Sequence, residues 1–489
     1  MASDSTIYDL IIIGSGIMGS AAAWRASAAG LRTLLLERQP SPAHALGSSH
    51  GHSRIVRKTY ADATYARLMC AALPLWDEAS RASGCGPLRA VVGDALGDAA
   101  GAAAGLPQLP LVNATGGVSI VEEGSAAHAG LLAAAATAGV PMARVAPAAA
   151  LARWGLVLPP GAVALEEVSG STGVAVGAGR CVAALQALAA GAGCTLRCGA
   201  EVEGVVAEAE AEDPAAEAAA AGGGRLLARV LLRGGGAVRA LRVALCPGAW
   251  AGPLVSRCCR LQLPLQPLLC STGYYRTRRA AGVEELPVLI DWRQPNGVYS
   301  CPVTPGSEEA ARFGADAVKF AVHAGAPTSA EGRPFEPHAP TTVAPVAAWL
   351  REHLRHVEAE PLPGSVTTCL YTVTPDEHFV LDEVPLWTAR GRSVHGLAFL
   401  CAGFSGHGFK FGPLVGELVR MWAMESLVEA PTLGWAEGVA SSVAMRRVEE
   451  LLAAAVAAGG GGEGGGGEPL LAKFRASRFA RAATAHGGV

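Results

Sequence analysis

Residues 8–13 (YDLIII) are a short, almost wholly apolar run that passes directly into Gly14-Ser15-Gly16-Ile17-Met18-Gly19 and then into an Ala-rich stretch ending near residue 29. The pattern predicts strand, tight turn and helix. A second β-branched and Leu-rich run, 32–36, ends in Glu37, 23 residues after Gly14. That spacing predicts a βαβ unit with an acid at the tip of its second strand. The three glycines act differently, in that Gly14 permits the tight turn, Gly16 lets a pyrophosphate approach the backbone, and Gly19 lets the helix pack on the strand. Glu37 is placed to accept from ribose hydroxyls. Dinucleotide binding follows, although this motif does not separate FAD from NAD.

The chain has 489 residues, enough for about three domain-equivalents or two domains with insertions. A balance of 39 Lys+Arg against 42 Asp+Glu offers no electrostatic footprint for nucleic acid or an anionic membrane. The 51% hydrophobic fraction is rich in Ala, since aromatics make up only 5%. The 12 cysteines show no CxxC pair and no Cys/His cluster at zinc spacing, so reduced thiols and no metal site are expected. The polar start runs straight into the first strand, leaving no room for a cleavable leader. The richest apolar stretch, 126–151, carries His128, Pro141, Arg144 and Pro147, which argues against a membrane span. The reading is an intracellular protein, cytoplasmic or peroxisomal, yet His486-Gly487-Gly488-Val489 does not fit a Ser-Lys-Leu type peroxisomal address.

Further along, residues 64–80 read as a helix with Leu68, Met69, Leu73 and Trp76 on its apolar face and a kink expected at Pro74. Two low-complexity stretches, 207–224 and 454–468, are read as flexible surface insertions away from the chemistry. The first lies between β-like runs, 201–206 and 226–232, and so caps an elongated hairpin. Residues 238–246 read as another strand, and the Pro-Gly-Ala-Trp after it as a turn into a helix. The segment 264–302, with turn chemistry at 295–297, suggests antiparallel strands. An α/β half and an α+β half are interleaved. Residues 1–90, 160–255 and 368–430 are assigned to a discontinuous Rossmann-like domain. Residues 91–159 and 256–367 are assigned to a substrate domain on a mixed or antiparallel sheet, and 469–489 to a C-terminal segment.

Two more constellations carry chemistry. Gly47-Ser48-Ser49-His50-Gly51-His52-Ser53-Arg54-Ile55-Val56-Arg57 follows the ribose-binding strand. On composition alone it is a solvated basic loop; alternatively, its small residues press against a flat ligand while Arg54 and Arg57 meet anionic groups. Gly403-Phe404-Ser405-Gly406-His407-Gly408-Phe409-Lys410-Phe411 precedes a helix expected over 414–424. Such a loop aims N–H groups and a helix dipole at developing negative charge, and Lys410 adds a full positive one.

With these residues in view, the chain resembles the monomeric sarcosine oxidase group of FAD-dependent amine oxidases, most of all its peroxisomal sarcosine oxidase, or L-pipecolate oxidase, branch. The likeness rests on IIIGSGIMG at Ile11, GSSHGHSRIVRKTY at Gly47, CLYTVTPDEHFVLDEVP at Cys369 and AGFSGHGFKF at Ala402, with weaker matches in PNGVY at Pro295, VKFAVHAG at Val318 and LAKFRASRF at Leu471. It spans nearly the whole chain outside the two insertions and much of 85–158.

The resemblance implies FAD, attached covalently through Cys369. It also implies oxidation of a secondary amino acid (sarcosine, another N-methyl amino acid or L-pipecolate) to the imine, with hydride transfer to FAD and reduction of O2 to hydrogen peroxide. It places Gly14, Gly16, Gly19, Glu37, Arg38, Ser48, His50, Arg54, Val202, Gly403, Gly406, His407, Gly408, Phe409 and Lys410 against the cofactor. Arg57 and Lys410 would hold the substrate carboxylate. Tyr371, His323 and His407 would line the substrate cavity beside Arg54, and Lys319 would assist O2. The protein is expected to act as a monomer on a small amino acid and O2. One departure is Val322 where the family carries tyrosine. On the residues alone, Cys369 reads as an inert buried small hydrophobe, while Lys319 can be read as an exposed lysine on an alternating strand, and His323 and His407 as structural histidines. Asp376, Glu377 and His378 read as a turn. Two rival functions remain: a flavin dehydrogenase with a non-oxygen acceptor, and a non-catalytic flavoprotein.

Overall fold

The first strand, Ile7–Ile13, pairs in parallel with Thr33–Leu36 on one side and Ala237–Leu245 on the other. Its apolar run does not alternate because both faces are covered. Leu10 and Ile12 join one core with the helices Ile17–Ala28, Ala178–Gly191 and Gly412–Val428, while Ile11 and Ile13 join a second core with Val243 and Leu245. The computed structural model describes residues 6–42, 44, 46–85, 109–209, 225–278, 281–293, 297–330, 343–428, 432–433, 443–458 and 471–479. Among them a nine-stranded sheet carries the order Val202–Ala209, Leu226–Leu232, Ala237–Leu245, Ile7–Ile13, Thr33–Leu36, Thr195–Arg197, with Ser393–Ala402 and its neighbours branching from Ala237–Leu245. The first βαβ unit is therefore present as predicted.

A second, ten-stranded sheet is mixed. Most of its pairings are antiparallel, and Val288–Asp291 runs parallel to Gly117–Glu122. The architecture is thus the predicted α/β domain joined to a second sheet domain. The helix Ala63–Ala82 runs through Pro74 and buries Leu68, Met69, Leu73 and Trp76. Val202–Ala209 and Leu226–Leu232 form the expected hairpin, whose tip, 210–224, lies outside the described residues. The turn at 295–297 is likewise outside them except for Gly297. No helix among the described residues is long and apolar enough to cross a membrane.

Strand partners shift two of the sequence boundaries. Ala162–Glu167 pairs with Gly117–Glu122, and Thr367–Val373 pairs with Gln266–Thr277, so both belong to the ten-stranded sheet rather than the Rossmann-like one. The low-complexity reading of 454–468 also needs correction at its start. The helix Val443–Ala458 continues to residue 458, because Val448, Leu452 and Val456 recur every fourth residue and bury one face. Residues 207–209 are likewise strand rather than insertion.

Candidate active site

The turn after the first strand builds a cleft of about 180 Å³. Gly14 has φ of 101°, and a Cβ there would lie 2.3 Å from the Cys246 carbonyl oxygen; at Gly19 it would lie 1.8 Å from the Gly14 oxygen. At Gly16 the nearest atom would be the Ser49 Oγ, 3.2 Å away, and Gly16 itself lines the cleft. Gly16, the N-cap of the helix Ile17–Ala28, has no side chain to cap it, and Ser49 Oγ accepts the Ile17 N–H at 3.1 Å; the helix dipole still points its positive end at the cleft. Glu37 accepts from Ser15 N–H (3.0 Å) and Oγ (2.8 Å) through one oxygen and from Gln39 N–H (2.8 Å) through the other. Burial opposes its ionisation, but His44 and the Gln39 and Ser15 amides outweigh burial and bring the carboxyl down to about 2. Arg38, Ser48 and Val202 line the same cleft, as do His44 and Trp250, which the sequence alone does not single out. The Arg38 guanidinium lies 4.3 Å over the Trp250 ring. Glycine cradle, helix end and buried acid together fit the pyrophosphate and ribose of FAD.

A second cavity, about 520 Å³, is lined by strands of the ten-stranded sheet, by Arg54 and Ile55 of the short strand Arg54–Val56, and by residues of the segments 376–378 and 406–410. The loop 47–48 is tied to the strand Thr367–Val373: Leu370 N–H donates to the Gly47 carbonyl at 3.2 Å, and Ser48 Oγ donates to the Leu370 carbonyl. Cys369 and Tyr371 of that strand line the cavity with Arg54, Arg57, Lys319, His323, Gly406, His407, Phe409 and Lys410. A Cβ at Gly406 would fall 2.3 Å from Tyr371 Cε2 and 2.8 Å from His323 Cε1, so only glycine allows this approach. Gly403 and Gly408 line neither cavity; they let the loop close on Thr374 and Phe404. His50 lines neither, and its carbonyl accepts Arg54 Nη2 at 2.8 Å.

Lys319 is 3% exposed, and every residue of Ala317–Val322 is buried. The alternative of an exposed strand lysine is thereby excluded. Its Nζ donates to the Ser53 carbonyl, which also accepts Arg54 Nη1 at 3.1 Å. Val318, Phe320 and Val322 point the other way, into a core with Trp154 and Leu350. The Val322 departure therefore does not touch the site.

The Arg57 guanidinium sits 4.2 Å over Tyr60 and 4.7 Å over Trp292, and donates to the Thr59 carbonyl. Cation–π contact offsets part of the cost of burying it. Lys410 Nζ donates to Tyr60 Oη (2.9 Å) and the His407 carbonyl (3.0 Å). Tyr60 Oη also lies 3.4 Å from His407 Nδ1, and His407 Nε2 lies 3.2 Å from the Glu377 carbonyl. A carbonyl only accepts, so Nε2 carries the proton and Nδ1 accepts from Tyr60. Burial, then Lys410, push His407 well below its ordinary value. Burial, then Lys410 and Arg57, bring His323 to about 4. Both imidazoles are neutral at pH 7. Burial pushes the Tyr371 phenol well up, with Tyr299 beside it.

Among the described residues no carboxylate pairs with Arg54, Arg57, Lys319 or Lys410; Asp62 and Asp376, at the cavity wall, pair instead with Lys473 (2.8 Å) and Arg478 (2.7 Å). Asp376, Glu377 and His378 form the expected turn, with Glu377 N–H on the Thr374 carbonyl. Tyr60, Trp292 and Tyr299 also escape a reading of the sequence. The signal for Tyr60 is its place three residues after Arg57, and for Tyr299 its place in PNGVY.

A family model described as FAD dependent oxidoreductase matches residues 9–422. The monomeric sarcosine oxidase of Streptomyces avermitilis is 30% identical over 87% of this chain and 96% of its own length. The human peroxisomal sarcosine oxidase is 27% identical over 87% and 94%. Among solved structures, the open form of NikD, an unusual amino acid oxidase essential for nikkomycin biosynthesis, superposes with a TM-score of 0.64 at 22% identity, covering 89% of this chain and all of that one; at that identity the match speaks to fold alone. By its matched family, its relatives along nearly their full length and its fold, the chain belongs to the sarcosine oxidase family of FAD-dependent oxidoreductases.

Proposed function

We propose that this FAD-dependent amine oxidase, which acts on secondary amino acids, takes sarcosine, another N-methyl amino acid or L-pipecolate, passes the electrons to O2 as hydrogen peroxide, works as a monomer and holds its flavin covalently through Cys369. The observation that carries the reading is the buried pair Arg57 and Lys410, two cations around Tyr60 with no carboxylate partner among the described residues. Such a pair is poised for a substrate carboxylate. When bound, FAD supplies the two-electron acceptor for the C–H bond next to nitrogen and the route of those electrons to O2. Gly14, Gly16, Glu37 and the end of the helix Ile17–Ala28 would hold its phosphates and ribose, and Arg54, Cys369 and Phe409 its ring system.

The chain's own groups do the rest. Four cations around the cavity disfavour a bound ammonium, so the substrate amine loses its proton and offers the lone pair that imine formation needs. Neutral His323 and His407 line the space without adding charge, and Tyr371 closes it. Lys319, fixed by the Ser53 carbonyl, stabilises negative charge that develops on oxygen.

Steady-state assay with sarcosine and with L-pipecolate tests this reading. Peroxide formation supports it. Flavin reduction without peroxide points to a dehydrogenase, and absence of any reduction points to a non-catalytic flavoprotein. Covalent attachment has a separate test. Yellow fluorescence should stay with the polypeptide on a denaturing gel, since unfolding does not break a thioether, and a Cys369→Ser variant should release all of its flavin. Complete release from the parent protein sinks the Cys369 assignment.

A further inference from the structure

The connection between the paired strands Val298–Pro302 and Ala317–Val322 leaves the sheet and forms the short helix Glu308–Phe313, started by Ser307 Oγ accepting Ala310 N–H at 3.2 Å. Its second residue, Glu309, is 3% exposed. The Glu309 carboxylate accepts the Ser53 N–H, and the carbonyl of the same residue accepts Lys319 Nζ and Arg54 Nη1. Ser53 thus stands between a buried acid and two buried cations, its N–H turned to the acid and its C=O to the cations. A buried carboxylate is costly unless compensated. No Arg or Lys among the described residues lies within ion-pair distance of Glu309; the nearest basic group is His52 Nδ1 at 3.9 Å. That ring meets the stacked pair Tyr274 and Phe313 edge-on (5.6 and 5.4 Å), and burial followed by Lys319 brings it to about 4, so it is neutral at pH 7. The positive charges that face Glu309 across the Ser53 peptide are Lys319 and Arg54.

We propose that Glu309 is the positioning residue and buried counter-ion of Lys319, holding the Ser53 peptide so that its carbonyl fixes Nζ and keeping the ammonium charged during turnover. The proposal rests on the reading of Lys319 as the cation that serves O2. The titratable and charged groups facing Lys319 are Cys301 and Tyr274 on the two flanking strands, Arg54 and His52 on the segment 52–54, Cys369, and Glu309. Burial weakens the ammonium's hold on its proton and Arg54 weakens it further, while Glu309 strengthens it. Without Glu309 the proton leaves at lower pH.

The chain has four lysines, Lys58, Lys319, Lys410 and Lys473, so NMR of the full-length, FAD-bound protein labelled at lysine Cε resolves Lys319, assigned by its loss in Lys319→Met. In Glu309→Gln the Lys319 titration midpoint should fall by about one pH unit, the scale of a charge removed across one peptide. Stopped-flow reoxidation should lose rate at the same lower pH, while anaerobic reduction by the amine changes less than about threefold, a small barrier change. A merely structural role would lower rates without moving the midpoint. If Glu309→Gln does not fold, Glu309→Asp takes its place: it keeps the charge but draws it back from Ser53, and a downward shift of about half a unit is expected. An unmoved Lys319 midpoint in the folded variant overturns the proposal. An unchanged reoxidation rate in Lys319→Met instead removes the reading on which it rests, whatever Glu309 does.

Discussion

A Lys319→Met variant is expected to accept electrons from its amine under anaerobic conditions at near the parent rate and to be reoxidised by O2 about a thousandfold more slowly, equivalent to about 4 kcal/mol of lost stabilisation. That size follows from a unit positive charge about 4 Å from developing negative charge at an effective dielectric constant near 20. Lys319 is buried, and its Nζ is pinned to the Ser53 carbonyl, so little water is available to replace it. Amine oxidation develops no comparable anion at this position. Methionine is close in length, and the Ser53 carbonyl keeps Arg54 as a donor at 3.1 Å. The loss should therefore be electrostatic rather than a collapse of the loop. Stopped-flow measurement of the two half-reactions decides the matter: unchanged reoxidation would leave the oxidase reading without its main physical support.

Local chemistry made much of this fold legible. The run YDLIII, the three glycines and Glu37 specify strand, turn, helix and acid within about thirty residues, and every step depends on near neighbours. The apolar face 68–76 and the hairpin ends 202–209 and 226–232 are local in the same way. Pairing partners are not. Nothing in TTCLYTV says that Cys369 will lie opposite Cys270 in the ten-stranded sheet rather than join the parallel one, and that choice moved a domain boundary. The strand AVKFAV shows why Lys319 was ambiguous: alternation is the mark of a half-exposed strand, yet here both faces are covered, one by core and one by the cavity wall. Glu309 was illegible for the opposite reason. The stretch EEAARF has the composition of a solvated helical turn, and only the excursion between two paired strands carries it under Ser53.

Removing either Arg57 or Lys410 should weaken a simple carboxylate inhibitor by about 10- to 150-fold, since one charge-assisted hydrogen bond in a buried site contributes roughly 1.5 to 3 kcal/mol. The two losses should not be alike. Arg57 is sandwiched by Tyr60 and Trp292, so Arg57→Met keeps an apolar filler between the rings and the loss should fall mainly on the anion. Lys410 is the donor that orders Tyr60 Oη toward His407, so Lys410→Met should also disturb the imidazole. The pair also predicts a pH dependence. Burial first, and then the Arg57 charge, push Lys410 well below the usual lysine range. An anion favours the protonated amine, so inhibitor affinity should be full below the Lys410 value of the free enzyme and decline as pH rises through it. In Arg57→Met that decline should move to higher pH, because the repelling charge is gone, even while the affinity at low pH is reduced. Inhibitor titrations followed by flavin absorbance across pH read both effects. If Arg57→Met binds the carboxylate as tightly as the parent and declines at the same pH, the two cations do not share an anion, and substrate recognition must be sought elsewhere in the cavity.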